Sequence, residues 1–158
     1  MRYFLSLGSN LGDREKNLNK AAELLRKEGI RIISMSSMYE TEPVEMTAAS
    51  WFYNQVLEVE THFSPERLLF LLKSIEEHMG RVPKECLSSR SIDIDVLLAE
   101  DKTVNTESLQ IPHPRMAERN FVLLPLAEIA PDVKHPVFKV NVKDLLEKSN
   151  DRSRVIKL

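Results

Sequence analysis

The sequence predicts an α+β fold: a βαββαβ antiparallel sheet with helices packed on it, plus an irregular C-terminal extension. Three observations predict it. Two segments of helical period, residues 13–28 and 65–79, are separated by two strand-like segments and flanked by two more. Both helical segments carry start signals and run into a glycine, Gly29 and Gly80. Residues 90–98 alternate with period two, so that Ile92, Ile94, Val96 and Leu98 point one way and Asp93, Asp95 and Leu97 the other. That is the pattern of a strand buried on one face.

In order along the chain, Tyr3-Phe4-Leu5-Ser6-Leu7 reads as a short buried strand, broken by Gly8-Ser9-Asn10-Leu11-Gly12. Leu18, Ala21, Ala22 and Leu25 then mark one face of the first helix, with Asn10 or Asp13 as its cap. Residues 30–40 read as one strand, with Ile33, Met35 and Tyr39 on one face and Ile32 and Met38 on the other. A loop runs from Glu42 to about Trp51, and residues 54–63 form the third strand. Ser64-Pro65-Glu66 is a strong helix start: an N-cap, a proline in the first turn and an acid near the positive end of the dipole. Leu68, Leu69, Leu71, Leu72, Ile75 and Met79 give that helix a wide apolar face. Residues 81–91 are a polar, charged loop feeding the strand of Asp93 and Asp95. This order is the split βαβ arrangement of the ferredoxin-like fold. The tail is less regular: a small hairpin within 102–111, a rigid Pro112-His113-Pro114, a short apolar helix over 121–129 interrupted by Pro125, and one or two helical turns over 142–148.

At 158 residues the chain fits a single domain, 1–158, large enough for a proper core. Its net charge of −2 argues against a general nucleic-acid binder. A single cysteine, Cys86, makes no internal disulfide and suits a reducing cytoplasm. The first nine residues hold one basic residue and too short an apolar run for a signal peptide, and the longest apolar run, residues 68–72, is far short of a membrane span.

The Asp93/Asp95 pair is the leading chemical feature. Two carboxylates two residues apart on a strand share a face, roughly 6–7 Å apart at the backbone. Hard oxygen ligands of this kind suit Mg²⁺, and Mg²⁺ usually accompanies phosphate. On its own the pair fits the solvent face of an edge strand slightly better. Its surroundings favour chemistry: Arg81, Lys84 and Arg90 lie in the loop before it, and His113, Arg115 and Arg119 follow it. Acids to hold a cation and guanidinium or ammonium groups to hold anionic oxygens are what a metal–polyphosphate site needs. The glycines around Ser9 and Asn10 match neither a dinucleotide fingerprint nor a P-loop. Phe52-Tyr53-Asn54 offers an aromatic to stack on and an amide to pair with, which would serve a planar heterocycle, and it fits equally well a core aromatic followed by an Asn at a strand start. A metal-dependent phosphohydrolase or nucleotidyltransferase is open on the same residues. An RNA-binding module is disfavoured, because the third strand presents Glu58, Glu60 and His62.

As an ordered set these pieces resemble the 6-hydroxymethyl-7,8-dihydropterin pyrophosphokinase family of folate biosynthesis. The likeness runs from Gly8-Ser9-Asn10-Leu11 through Tyr39-Glu40-Thr41-Glu42-Pro43, Tyr53-Asn54 and Gly80-Arg81 to Arg90-Ser91-Ile92-Asp93-Ile94-Asp95-Val96-Leu97. It continues through Ile111-Pro112-His113-Pro114-Arg115-Met116 and Arg119-Asn120-Phe121-Val122-Leu123 to Pro125-Leu126. The resemblance implies transfer of pyrophosphate from ATP to the pterin hydroxymethyl oxygen with release of AMP. It implies a monomer without nucleic-acid or membrane partners, and two Mg²⁺ ions bound by Asp93 and Asp95. Arg81 and Arg90 join these as catalytic residues. Glu76, Lys84, Arg90, His113 and Arg119 fall on the ATP side, and Thr41, Val44, Asn54 and Phe121 in the pterin pocket. The family closes mobile loops over its substrates, which here correspond to residues 44–51 and 81–91.

The second of these loops departs from the family pattern. Pro83 stands where many members carry an arginine, Leu87 fills the slot of a tryptophan, and the loop is a residue short. In the first loop Glu42 replaces the first of two prolines. Losing a stacking aromatic and a phosphate-binding arginine costs on the order of 1–3 kcal/mol each where the groups are engaged and desolvated.

Overall fold

The computed structural model describes residues 1–43, 50–80 and 91–158. It is an α+β structure whose main sheet has six strands, all paired antiparallel. The elements are β1 (Arg2–Ser9), α1 (Arg14–Lys27), β2 (Arg31–Met35), β3 (Tyr39–Thr41), β4 (Phe52–Glu60), α2 (Pro65–His78), β5 (Asp93–Ala99), the hairpin β6 (Val104–Asn105) and β7 (Gln110–Ile111), α3 (Asn120–Ile129), α4 (Val142–Lys148) and β8 (Val155–Lys157). The sheet order is β5-β1-β4-β3-β8, with β2 also pairing β4.

The helix boundaries follow from their caps. The Asp13 carboxylate accepts the Lys16 N–H at 3.0 Å, and the Ser64 hydroxyl accepts the Arg67 N–H at 3.2 Å with Pro65 opening α2. Gly29 and Gly80 sit at positive φ just beyond the helices they end.

The sheet is buried on both faces, not one. On the first face Leu5, Leu7, Leu57, Val59, Ile94 and Val96 pack with Leu18, Ala21 and Leu25 of α1 and Leu68, Leu72 and Ile75 of α2. On the second, Phe4, Val56, Leu97 and Leu98 pack with Val122 and Leu126 of α3 and Val142 of α4. Strict alternation would send Leu98 to the first face with Val96. A β-bulge changes this: Leu5 pairs with Val96 and Phe4 with Leu98, leaving Leu97 as the extra residue. Leu98 thereby joins the second face and Ala99 returns to the first.

The strand expected over residues 30–40 is divided. Ser36 accounts for the break: its hydroxyl accepts the Val56 N–H at 2.9 Å and its carbonyl accepts from the Gln55 side chain at 2.9 Å. Side-chain bonds of this kind compete with ladder bonds and end regular pairing. Downstream, the hairpin forms as expected within 102–111. Pro125 lies inside α3 without ending it. The C-terminal strand β8, paired to β3, was not legible in the sequence pattern.

Candidate functional site

The second face of the sheet is only partly covered by α3. At the end where β1 finishes and β4 and β5 begin, it forms the floor of a cavity of about 690 Å³. Gly8 pairs across to Asn54 on one side and Asp93 on the other, and Ser6 pairs with Val56 and Asp95. Cross-strand partners share a face. Asn54, Gly8, Ser6, Asp93 and Asp95 therefore form one contiguous floor, and all but Gly8 present a polar side chain to the cavity.

Gly8 has a specific reason to lack a side chain. A Cβ there would sit 2.7 Å from the Asn54 Oδ1. The space it leaves admits the buried Asn54 amide, whose Nδ2 donates to the Thr41 hydroxyl at 2.5 Å. Phe52, two residues before Asn54 on the same face, and Phe121, in the first turn of α3, supply aromatic walls. Thr41, Glu42 and Pro43 close that end.

The other end is acidic on the floor and basic on the wall. Asp93 and Asp95 are half-buried. His113 and Arg119 line the same cavity. Burial pushes the His113 imidazole below its usual range, the Arg119 and Arg115 guanidinium groups push it further, and only Asp93 pulls the other way. The imidazole is therefore neutral at neutral pH. Its Nδ1 accepts the Arg115 N–H at 3.2 Å, which puts the proton on Nε2 as a donor. The His113 backbone is fixed in turn by its own N–H, donated to the Leu97 carbonyl at 2.9 Å. Glu76 is buried, and its carboxylate accepts the Ile94 N–H at 2.7 Å. Since β5 is the sheet edge among the described residues, Glu76 occupies a backbone donor that no neighbouring strand of those residues takes up.

Thr41, Asn54, Glu76, Asp93, Asp95, His113, Arg119 and Phe121 thus all line one cavity. Val44, Arg81, Lys84 and Arg90, like the departures at Pro83 and Leu87, lie outside the described residues. The sequence reading missed Ser6 and Gly8, whose floor position follows from strand register. It also missed Leu69 and Lys73 of α2 and the hairpin residues 107–110. The spacing of Lys73 and Glu76, one helical turn apart, was the available signal for that wall. Among the described residues no group of three or more His, Cys, Asp or Glu side chains is gathered for a metal ion. A carboxylate pair on the floor of a cavity with basic walls fits Mg²⁺, which keeps several waters and takes its remaining ligands from substrate phosphates. No helix among the described residues is long and apolar enough to cross a membrane.

The chain is 42% identical over 132 residues to the 2-amino-4-hydroxy-6-hydroxymethyldihydropteridine pyrophosphokinase of Bacillus subtilis, covering 83% of this chain and 79% of that protein. It is 43% identical over 148 residues to the folic acid synthesis protein fol1 of Pneumocystis carinii, covering 94% of this chain but 20% of that protein. The chain therefore spans about a fifth of the length of that fungal relative. Among solved structures, the Plasmodium falciparum HPPK-DHPS with pteroate matches 93% of this chain and 44% of that one, with a TM-score of 0.76 at 19% identity, a likeness of fold. A family model described as 7,8-dihydro-6-hydroxymethylpterin-pyrophosphokinase (HPPK) matches residues 4–131. Taken with the identity to the bacterial enzyme, that match places this chain in the HPPK family.

Proposed function

We propose that this protein transfers pyrophosphate from ATP to the hydroxymethyl oxygen of 6-hydroxymethyl-7,8-dihydropterin, releasing AMP. The observation that carries the reading is the two-ended cavity. An amide and two aromatic rings stand at one end, and an aspartate pair with basic neighbours at the other, on one continuous floor. A substrate with a planar heterocycle and a reacting hydroxyl fits the first end, and a triphosphate fits the second.

In this reading Phe121 stacks on the pterin ring, and Asn54, oriented by Thr41, bonds its polar edge. The family resemblance adds Val44 to that pocket. His113 and Arg119, with Lys84 and Arg90, donate to the triphosphate oxygens. Glu76 shapes the nucleotide side of the cavity by holding β5 at Ile94. Asp93 and Asp95 would hold two Mg²⁺ ions. What bound Mg²⁺ supplies is neutralisation of phosphate charge and a lower pKa for the pterin hydroxyl. The new bond joins the hydroxymethyl oxygen to the β-phosphorus. The bond from that phosphorus to the α,β-bridging oxygen breaks, AMP leaves carrying that oxygen, and the hydroxyl proton passes to solvent water. The protein's contribution is positioning and charge complementarity, as in other phosphoryl transfers. Arg81 and Arg90 would add positive charge from the loop before β5.

The strand order β5-β1-β4-β2 supports a ferredoxin-like core, with the second strand of that plan divided into β2 and β3. A single domain acting as a monomer in a reducing cytoplasm suits a chain with one cysteine.

The test is an assay for AMP release that depends on both pterin and ATP, with and without Mg²⁺. AMP with a pyrophosphorylated pterin is the expected product pair, lost on chelation. Free phosphate from ATP alone, independent of pterin, would instead establish a phosphohydrolase.

A further inference from the structure

The C-terminal segment 151–157 touches both flanks of the cavity. On one flank, β8 pairs with β3, setting Val155 opposite Thr41. Beyond the paired residues Glu42 is gripped twice: its N–H donates to the Arg154 carbonyl at 3.1 Å, and its carboxylate accepts the Arg154 N–H at 2.8 Å. On the other flank, the Asp151 carboxylate accepts the Asn120 N–H at 2.8 Å, and the Asp151 carbonyl accepts from the Asn120 side chain at 3.1 Å. Asn120 is the first residue of α3, between Arg119 and Phe121.

That contact fills a gap in the sequence of α3. The residue at its N-cap position is Arg119, whose guanidinium has no acceptor to offer, and its first turn carries no acid. A helix start normally has a side-chain oxygen on its free N–H groups and favours negative charge there. Here a carboxylate from a segment thirty-one positions away provides both. It is held rigidly for this purpose: its other oxygen accepts the Ser153 N–H at 2.8 Å, and the Asp151 N–H donates to the Ser149 hydroxyl at 3.2 Å. Burial raises the Asp151 carboxyl, but bonds from Ser153 and from the Asn120 and Ser153 amides outweigh it and hold the group ionised below its usual range.

We infer that Asp151 is a positioning residue for the pterin pocket. Acting through Asn120, it fixes the first turn of α3 relative to β3, and so sets the separation between Phe121 and the Thr41–Asn54 pair. The inference rests on the proposed function, in that it takes the ring-binding end of the cavity to be where the pterin sits. The strap is short, and the carboxylate and Glu42 contacts are only three residues apart in it. A shift of the helix start is therefore a change in pocket width and not a loss of the core behind it, which Val122, Leu126 and Val142 hold independently.

The experiment compares wild type with Asp151→Ala, Asp151→Asn and Val142→Ala, the last destabilising the same core cluster away from the cavity. Pterin KM, kcat, thermal midpoint and direct binding of a non-reacting pterin analogue are measured for each. Asp151→Ala should raise pterin KM and analogue Kd by at least about fivefold at a temperature where it is fully folded. Asp151→Asn, which keeps one neutral acceptor, should fall between. Val142→Ala should lower the thermal midpoint with pterin KM within twofold of wild type. If Asp151→Ala fails to fold, Asp151→Asn carries the comparison. Pterin constants within twofold of wild type for a folded Asp151 variant overturn the inference, as does an equal rise in Val142→Ala. A wild type that binds the analogue while the variants match it sinks this inference alone, whereas a wild type that binds no pterin sinks the functional reading and this inference with it.

Discussion

Asp93 and Asp95 are separated from Asn54 by a single strand, and the residues between them are Gly8 and Ser6. The absence of a side chain at Gly8 and the small one at Ser6 let the acidic end and the aromatic end share one floor. Two outcomes follow at this scale. Asp93→Ala and Asp95→Ala should each cut pyrophosphoryl transfer by roughly a thousandfold, about 4 kcal/mol in the barrier, while circular dichroism and the thermal midpoint stay near wild type. Both side chains are half-buried at a cavity edge, so their removal leaves no core void. Near-normal turnover in either variant would remove the mechanism. Gly8→Ala places a methyl group 2.7 Å from the Asn54 Oδ1. Because Asn54 is buried and tied to Thr41, the amide must shift or break that bond. Pterin affinity measured by calorimetry should fall about tenfold or more, from loss of one well-placed hydrogen bond. The nucleotide affinity of the same variant should hold within about twofold, a ΔΔG below roughly 0.5 kcal/mol.

At the scale of elements, α3 decides how the cavity is walled, and it is anchored at both ends. Asp151 holds its start, and Glu128 near its end accepts from the Ser37 N–H at 3.0 Å, the Ser37 hydroxyl at 2.9 Å and the Tyr39 hydroxyl at 2.7 Å. Burial raises the Glu128 carboxyl, but those donors outweigh it and leave it below its ordinary 4.5, while burial and the Glu128 bond push the Tyr39 phenol up. A carboxyl whose folded pKa is depressed stabilises the fold above its unfolded value and loses that contribution as pH falls through the folded one. Glu128→Gln should therefore lower the thermal midpoint at pH 7, by an amount corresponding to about 1 kcal/mol for a largely exposed carboxylate. Thermal scans from pH 7 downward should bring the two proteins together as the pH falls through the depressed folded value. A gap that stays constant with pH would show that the contact acts through packing and not through charge.

The divided strand and the helix show what the sequence pattern could carry. Leu18, Ala21 and Leu25, or Leu68, Leu72 and Ile75, announce their face because each recurs at helical spacing against a single core. Residues 30–40 look like one strand because Ser36 reads as an ordinary polar position. Only its register opposite Val56 turns its hydroxyl into a substitute for a ladder bond. β8 was invisible for a related reason: three residues at a sheet edge leave no periodicity to count, and their partner lies more than a hundred positions earlier.

For the molecule as a whole, the chemistry-bearing residue types were legible and their assembly was not. Thr41, Asn54, Glu76, Asp93, Asp95, His113, Arg119 and Phe121 come from six separate stretches of chain, and the sheet brings them to one cavity. Gly8 and Ser6, in contrast, carry no chemistry of their own and become part of the site only through pairing on both sides. By the family resemblance, Pro83 and Leu87 stand where many members carry an arginine and a tryptophan. The expected consequence is nucleotide binding weaker by on the order of 1–3 kcal/mol per engaged group than in members that keep both. Side-by-side calorimetry with a non-hydrolysable ATP analogue checks it, and equal or tighter binding by this protein would refute it.

The bulge at Leu97 has a consequence for how the protein tolerates change. It inserts one residue between the half of β5 that carries the acids and the end that carries Leu98 and Ala99. The two halves therefore keep separate phase: the carboxylates are counted from Gly8, the leucines from Phe4. The same residue's carbonyl receives the His113 N–H, so the histidine is indexed to the joint and to neither half. Losing one residue at that joint would leave Asp93 and Asp95 in register and Leu98 opposite Phe4, while removing Leu97 from the second core and with it the carbonyl that holds the His113 N–H. The extra residue is thus what gives the second core two adjacent leucines from one strand and the histidine backbone its fixed point.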